Sequence, residues 1–321
     1  MKLYETQLFY EKDLIQAAEL LLSGEVIAFP TETVYGLGAC IFLEEAIRKI
    51  FTIKGRPSDN PLIAHISDLS SVALIAEDVS PLFYKLAERF FPGPLTIIVP
   101  KSPEVPSIVS AGLQTVAIRM PSHPIARQLI DLVGQPIVAP SANLSGKPSA
   151  TDYQHVIEDF DGVISGVIVG QPSSIGIEST VVRLVHQKVE IVRPGSISKE
   201  QLEEFLQDSV LVYQPKVGEI APSPGMKYRH YAPKAKVTLF FTAKEVLEYL
   251  IREVDKERML LCNEPLCSIP GVLSLPLSRS SFYANLRLAD RLEIKEVMIV
   301  CDLLTQEDLG LMNRIEKSSG V

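Results

Sequence analysis

Residues 11–39 read EKDLIQAAELLLSGEVIAFPTETVYGLGA. Apolar residues in 11–23 recur at helical spacing, Gly24 supplies a stop, and EVIAF (25–29) is an apolar run of strand length. A polar, glycine-containing segment follows where that strand ends. Helix, buried strand and a polar strand end form the repeating unit of an open α/β sheet, which places its ligands at such ends.

The same unit recurs outward from this stretch. A helix over LEEAIRKIF (43–51) precedes the strand PLIAHI, a helix spans about 80–91, and PLTIIV (94–99) and TVAIRM (115–120) read as strands. A helix over PIARQLIDLV (124–133) leads to the strand QPIVAP (135–140). STVVRLV and KVEIVRP flank His186 and Gln187, which predicts a hairpin and therefore a mixed sheet. From Tyr213 to Lys236 the chain turns rich in proline and basic residues. Beyond it KVTLFF, RMLLC and VMIVC alternate with helices at about 243–254 and 280–292. The expected organisation is a first α/β domain over 1–208, a linker over 209–235, and a small Rossmann-like α/β domain over 236–321.

Composition bounds the function. With 321 residues, 46% of them apolar, the chain can bury two cores, and its net charge of −8 argues against a broad nucleic-acid footprint. Clusters of cations are therefore informative. No leader and no run approaching the ~20 apolar residues of a membrane span is present, so a cytoplasmic protein without membrane contact is expected. Four scattered cysteines lack metal-ligand spacing and read as reduced thiols. Walker-type phosphate loops, H-E-x-x-H and nucleophile elbows are absent.

What remains is a set of polar strand ends. Thr31 and Thr33 share a side of FPTETVYGLGA if it is extended, with Gly36 and Gly38 allowing close backbone approach. In IKGRPSDNPL (53–62), Lys54 and Arg56 project together if extended, Pro57 restricts Arg56, and Pro61 restricts Asn60: a fixed two-cation clamp. Ser141 and Asn143 alternate after Pro140. Ser141 is read as a ligand-binder, since no histidine stands at general-base spacing. Of Ser149 and Thr151, the latter is expected to cap a helix starting near Asp152. Arg119 and Arg193 close apolar strands, and with Arg56 and Lys54 they argue for a shared polyanionic ligand. His65 ends its strand either as a core imidazole or as a ligand contact.

Taken in order, PTETVYGLG, KGRPSDNPL, FPGPLTII, VAIRMPSHP, PSANLSGKPS, ESTVV and RPGSI resemble the YrdC-like family of threonylcarbamoyl-AMP synthases, over about residues 10–235. SPGMKYRHYAP resembles the linker of its longer, two-domain branch. The resemblance implies a YrdC-like twisted mixed sheet and condensation of L-threonine, bicarbonate and ATP into threonylcarbamoyl-adenylate with release of pyrophosphate. The product feeds the transferase machinery that forms N6-threonylcarbamoyladenosine at position 37 of tRNA, which leaves room for a weak tRNA contact. It further implies that Thr33, His65, Arg119, Ala139 and Ser179 hold threonine, and that Arg56, Asn60, Thr115, Ser141, Ser149, Arg193 and Tyr231 hold ATP. Lys54 and Asn143 belong to the same polar floor, Lys54 and Arg56 carry the catalytic charge, and Mg²⁺ accompanies ATP. The linker is expected to act as a lid over the nucleotide. Two competing readings are an RNA- or tRNA-binding module without turnover, which should lose affinity steeply with salt, and carbamoyl transfer as in hydrogenase-maturation relatives.

Overall fold

The predicted helix, stop and strand at the front of the chain are α1 (Leu14–Leu22), Gly24 with φ +85°, and β2 (Ile27–Phe29), preceded by β1 (Gln7–Phe9). The structure is a computed structural model that describes residues 5–214, 231–252, 257–263, 269 and 271–320. The polar stretch after β2 is a turn followed by a strand, β3 (Gly36–Cys40), antiparallel to β2 with Gly36 opposite Phe29. Its glycines are required by packing: a Cβ on Gly38 would stand 2.8 Å from the Phe29 ring. The close approach those glycines permit is therefore made by Phe29.

Helix α2 (Glu44–Lys54) runs past its expected end at residue 51 and stops at Gly55, in the left-handed region at φ +59°. Lys54 thus lies on the last turn of a helix, and the expectation of an extended Lys54–Arg56 pair is corrected. The chain continues through β4 (Ile63–His65), α3 (Val72–Ile75), α4 (Pro81–Phe90), β5 (Leu95–Pro100), β6 (Thr115–Arg119), α5 (Pro124–Val133) and β7 (Ile137–Val138). Then come α6 (Tyr153–Phe160), β8 (Gly166–Ile168), β9 (Thr180–Val185), β10 (Lys188–Arg193), α7 (Lys199–Leu206) and β11 (Leu211–Val212). Asp152, and not Thr151, caps α6, accepting from the Gln154 backbone N–H. His186 and Gln187, both at positive φ, form the predicted two-residue hairpin between β9 and β10.

Among the described residues these strands form one sheet of order β1-β8-β2-β3-β7-β4-β6-β5-β9-β10-β11, with parallel and antiparallel neighbours mixed. One face carries the main core with α2, α4 and α6, built on Ile47, Ile50, Phe83, Leu86 and Phe160. Helices α1 and α5 pack on the other side of the β1–β3 half, around Phe9, Leu21, Phe29 and Leu129.

A second sheet, β12 (Lys236–Phe240), β15 (Glu296–Val300), β13 (Arg258–Cys262) and β14 (Val272–Pro276), is parallel throughout. The strand β14, a partly exposed edge, escapes sequence reading because Ser274 and Pro276 interrupt its apolar run. Helices α8 (Ala243–Arg252), α9 (Arg279–Arg291), α10 (Leu303–Glu307) and α11 (Leu309–Ser319) complete this unit. Its core continues into the first unit, because Val34 and Ile177 pack in the same cluster as Phe282, Leu286 and Ile315. Among the described residues no helix is long and apolar enough to cross a membrane. Cys40, Cys262 and Cys301 are buried free thiols; Cys267 lies outside the described residues.

Candidate active site

The turn after β2, the ends of α2, β4, β6 and β10, and the segment after β7 converge on one cleft that opens to solvent. Eleven of the fourteen residues to which the resemblance gives a role line it: Thr33, Lys54, Arg56, His65, Arg119, Ala139, Ser141, Asn143, Ser179, Arg193 and Tyr231, and Thr31 and Gly36 join them.

At one side, Arg119 donates to Thr33 Oγ1 at 2.7 Å and pairs with Glu32 at 2.7 Å, all three side chains being buried. Burial pushes the Glu32 carboxyl up, but Arg119 outweighs it and holds the group below the usual range. His65 is buried beside them. Burial first and Arg119 second press its pKa down to about 3, so the ring is neutral, and Nδ1 lies 3.1 Å from the Ile63 carbonyl. With Nδ1–H donating to that carbonyl, Nε2 is the acceptor. Ser179 Oγ is 2.7 Å from Thr96 Oγ1 and accepts from Arg193 at 3.2 Å.

At the other side, Lys54 Nζ donates to the carbonyls of Ser141, at 2.6 Å, and Asn143. Two of its three N–H groups are thereby spent on the segment after β7, leaving one. The Lys54 ammonium therefore anchors a loop as well as charging the cleft. Ser141 Oγ donates to Asn143 Oδ1 at 2.6 Å, and the Asn143 amide donates to the carbonyls of Leu144 and Lys147. Arg56 is held by the Pro61 carbonyl at 3.1 Å, while its buried Nε has no hydrogen-bond partner among the described residues. Burial, then neighbouring Arg56, depresses the Lys54 pKa well below its ordinary value, and burial lowers Arg56 to about 10. Both shifts have the sign that an entering anion would reverse, since a negative charge beside either group favours its protonated form.

Three candidates stand outside the lining. Asn60 is buried behind Arg56, whose guanidinium faces its carbonyl at 3.4 Å. Ser149 is fully buried and donates to Glu178 Oε1 at 2.6 Å. Thr115 opens β6, opposite Pro100 and four residues from Arg119. Of the linker, residues 215–230 lie outside the described residues; Tyr231, at φ +67°, sits buried on the cleft wall.

Sequence reasoning missed Glu178, which lines the cleft between Ser149 and two residues of the second unit, Tyr283 and Arg314. It stands directly before Ser179 in ESTVV, but its partners are 105 and 136 residues away, so no spacing announces it. Among the described residues no group of three or more His, Cys, Asp or Glu is arranged to hold a metal.

Comparison with known proteins identifies the family. Residues 19–195 match the family model described as telomere recombination, and 197–320 match that of the threonylcarbamoyl-AMP synthase C-terminal domain. The threonylcarbamoyl-AMP synthase of Pyrococcus abyssi is 41% identical over 95% of this chain and 93% of its own length. That of Bacillus subtilis is 41% identical over 97% of this chain and 94% of its own. The crystal structure of P. abyssi Sua5 complexed with L-threonine superposes with a TM-score of 0.90 at 37% identity, covering 98% of both chains. With both units matched in order over nearly the whole chain, the chain belongs to the two-domain threonylcarbamoyl-AMP synthases, the enzymes of tRNA threonylcarbamoyladenosine formation.

Proposed function

We propose that the Thr33–Arg119–His65 side of the cleft, with Ala139 and Ser179, takes L-threonine. The side formed by Arg56, Asn60, Ser141, Asn143, Ser149, Arg193 and Tyr231, with Thr115, takes ATP. Division of the chain into a catalytic part over 1–208, a linker over 209–235 and a terminal part over 236–321 goes with this reading. The observation that carries it is the convergence of Lys54, Arg56, Arg119 and Arg193 on one cleft in a chain of negative net charge.

The chemistry follows from those charges. The threonine carboxylate meets Arg119, and neutral His65 offers Nε2 as a weak acceptor to the ammonium. The ammonium gives a proton to bicarbonate, which breaks down to carbon dioxide and water; the free amine then adds to the carbon dioxide and releases its second proton to solvent, leaving a carbamate. One carbamate oxygen then attacks the α-phosphorus of ATP; the bond from that phosphorus to the bridging oxygen breaks, and pyrophosphate leaves. No protein nucleophile is needed. Mg²⁺ enters with ATP as the counter-ion of its phosphates. The work left to the protein is alignment and charge neutralisation, with Lys54 and Arg56 as fixed donors that need no reorganisation. Anions entering beside them relieve their mutual repulsion, so binding energy is gained where charge accumulates.

Purified protein incubated with Mg²⁺, ATP, L-threonine and bicarbonate should release pyrophosphate and a threonine-labelled adenylate only when all three substrates are present. Absence of product together with salt-sensitive tRNA binding would replace this reading with that of a tRNA-binding module.

A further inference from the structure

Glu178 poses a problem, because it is a carboxylate in the wall of a cleft built for anions. Its charge is well formed: burial raises its pKa, yet Arg314 and Arg193 outweigh burial and hold it at about 2. Unattended, it would repel phosphates. The structure shows how it is attended. Oε1 accepts from Ser149, and Oε2 accepts from Tyr283 Oη at 2.9 Å and from Arg314 Nε at 2.9 Å. Both of the latter come from the second unit, Tyr283 on α9 and Arg314 on α11, and Arg314 is fully buried.

The same two side chains reach the rest of the nucleotide end. Arg314 donates to the Pro194 carbonyl at 2.6 Å, directly after Arg193, and its guanidinium lies 5.9 Å from the centre of the Tyr231 ring. Tyr283 packs against that ring at 5.2 Å between centroids. Gly310, one turn before Arg314, lies so close to Gly195 that a Cβ would stand 2.3 Å from its carbonyl oxygen. By contrast, the buried Arg287–Asp159 pair ties the units together at 2.8 Å without lining the cleft.

We propose that Tyr283 and Arg314 are positioning residues for adenylate formation, by which the second unit neutralises Glu178 and fixes Tyr231 at the nucleotide end of the cleft. This rests on the assignment of that end to ATP. It gives the terminal unit a part in the reaction, since the cleft of the first unit would otherwise present to a polyanion a carboxylate attended only by Arg193 and Ser149. Threonine, a zwitterion of no net charge, would feel that carboxylate far less than ATP.

The test compares ATP and L-threonine on the full chain, by KM and kcat for pyrophosphate release and by titration calorimetry with each substrate alone. Arg314→Met should weaken ATP about tenfold or more and Tyr283→Phe several-fold, both leaving threonine affinity within about twofold. Arg314→Lys should recover part of the loss, and the double variant Arg314→Met with Glu178→Gln should bind ATP better than Arg314→Met alone. Unchanged ATP affinity in variants that melt cooperatively would overturn the inference. So would equal losses for both substrates, or a double variant no better than the single. If Arg314→Met does not fold, Tyr283→Phe and Arg314→Lys decide alone. Arg193→Met separates the two levels: if it leaves ATP affinity intact, the assignment of this end to ATP fails; if it alone weakens ATP, only the positioning role fails.

Discussion

His65 shows how a residue that looks ambiguous in sequence becomes definite in a site. Its ring is buried against Arg119, so its pKa of about 3 lies far below that of the unfolded chain, near 6.5. Between those values the unfolded chain binds the proton that the folded chain refuses, so stability is greatest above pH 6.5 and falls as the pH drops. From pH 7.5 to 5 the loss from this one group amounts to about 2 kcal/mol. Glu178 works in the same direction lower down, its stabilisation being lost below the usual carboxylate range. His65→Gln should flatten the urea-denaturation midpoint between pH 7.5 and 5, and an unchanged slope would show that the ring accepts a proton in place. At this scale sequence was a good guide to which residues meet: Lys54 and Arg56, Ser141 and Asn143 all reach one cleft, although Lys54 does so from a helix end and not from an extended run. It failed for Glu178, Tyr283 and Arg314, whose meeting depends on how two sheets dock.

Among elements, the hairpin of β9 and β10 was legible because two long apolar runs bracket two residues, leaving one register for a tight turn. The turn residues are unsuited to it. His186 at φ +48° and Gln187 at φ +63° both occupy the left-handed region, which L side chains adopt at a cost and glycine or asparagine tolerate better. Replacing the pair by Asn-Gly should raise unfolding stability by about 1 kcal/mol. The turn is exposed and lies at the end of the hairpin away from Arg193, which pairs with Val181, so turnover should not change. A lower denaturation midpoint would mean that the two side chains contribute contacts worth more than the backbone strain. Elements that line the cleft were harder to bound. Helix α2 overran its apolar pattern to deliver Lys54, and β3 was hidden in a polar, glycine-rich stretch because its neighbour Phe29 fills the space its side chains would take.

For the molecule as a whole, two units were readable from the change of composition near residue 213, but a tethered pair is not what folds. Buried Arg287 donates to the Pro148 carbonyl at 2.7 Å and pairs with Asp159, while Arg279 donates to the Ser196 carbonyl at 2.9 Å. Val34 and Ile177 of the first unit complete the core of the second. Breaking a buried pair such as Arg287–Asp159 costs about 3 kcal/mol or more, so neither unit should melt alone. Calorimetry should therefore show one transition whose calorimetric and van't Hoff enthalpies agree. Because the charges are buried, 0.5 M salt, taken as roughly five times the 0.1 M at which surface pairs are already screened, should not split it. Gly310→Val supplies the converse. Its side chain has no room against the Gly195 carbonyl, so the units must separate there, and the single transition should resolve into two with the terminal unit melting first. Two transitions already present in the unsubstituted protein would show that the docking of the units is too weak to make the cleft a joint product of both.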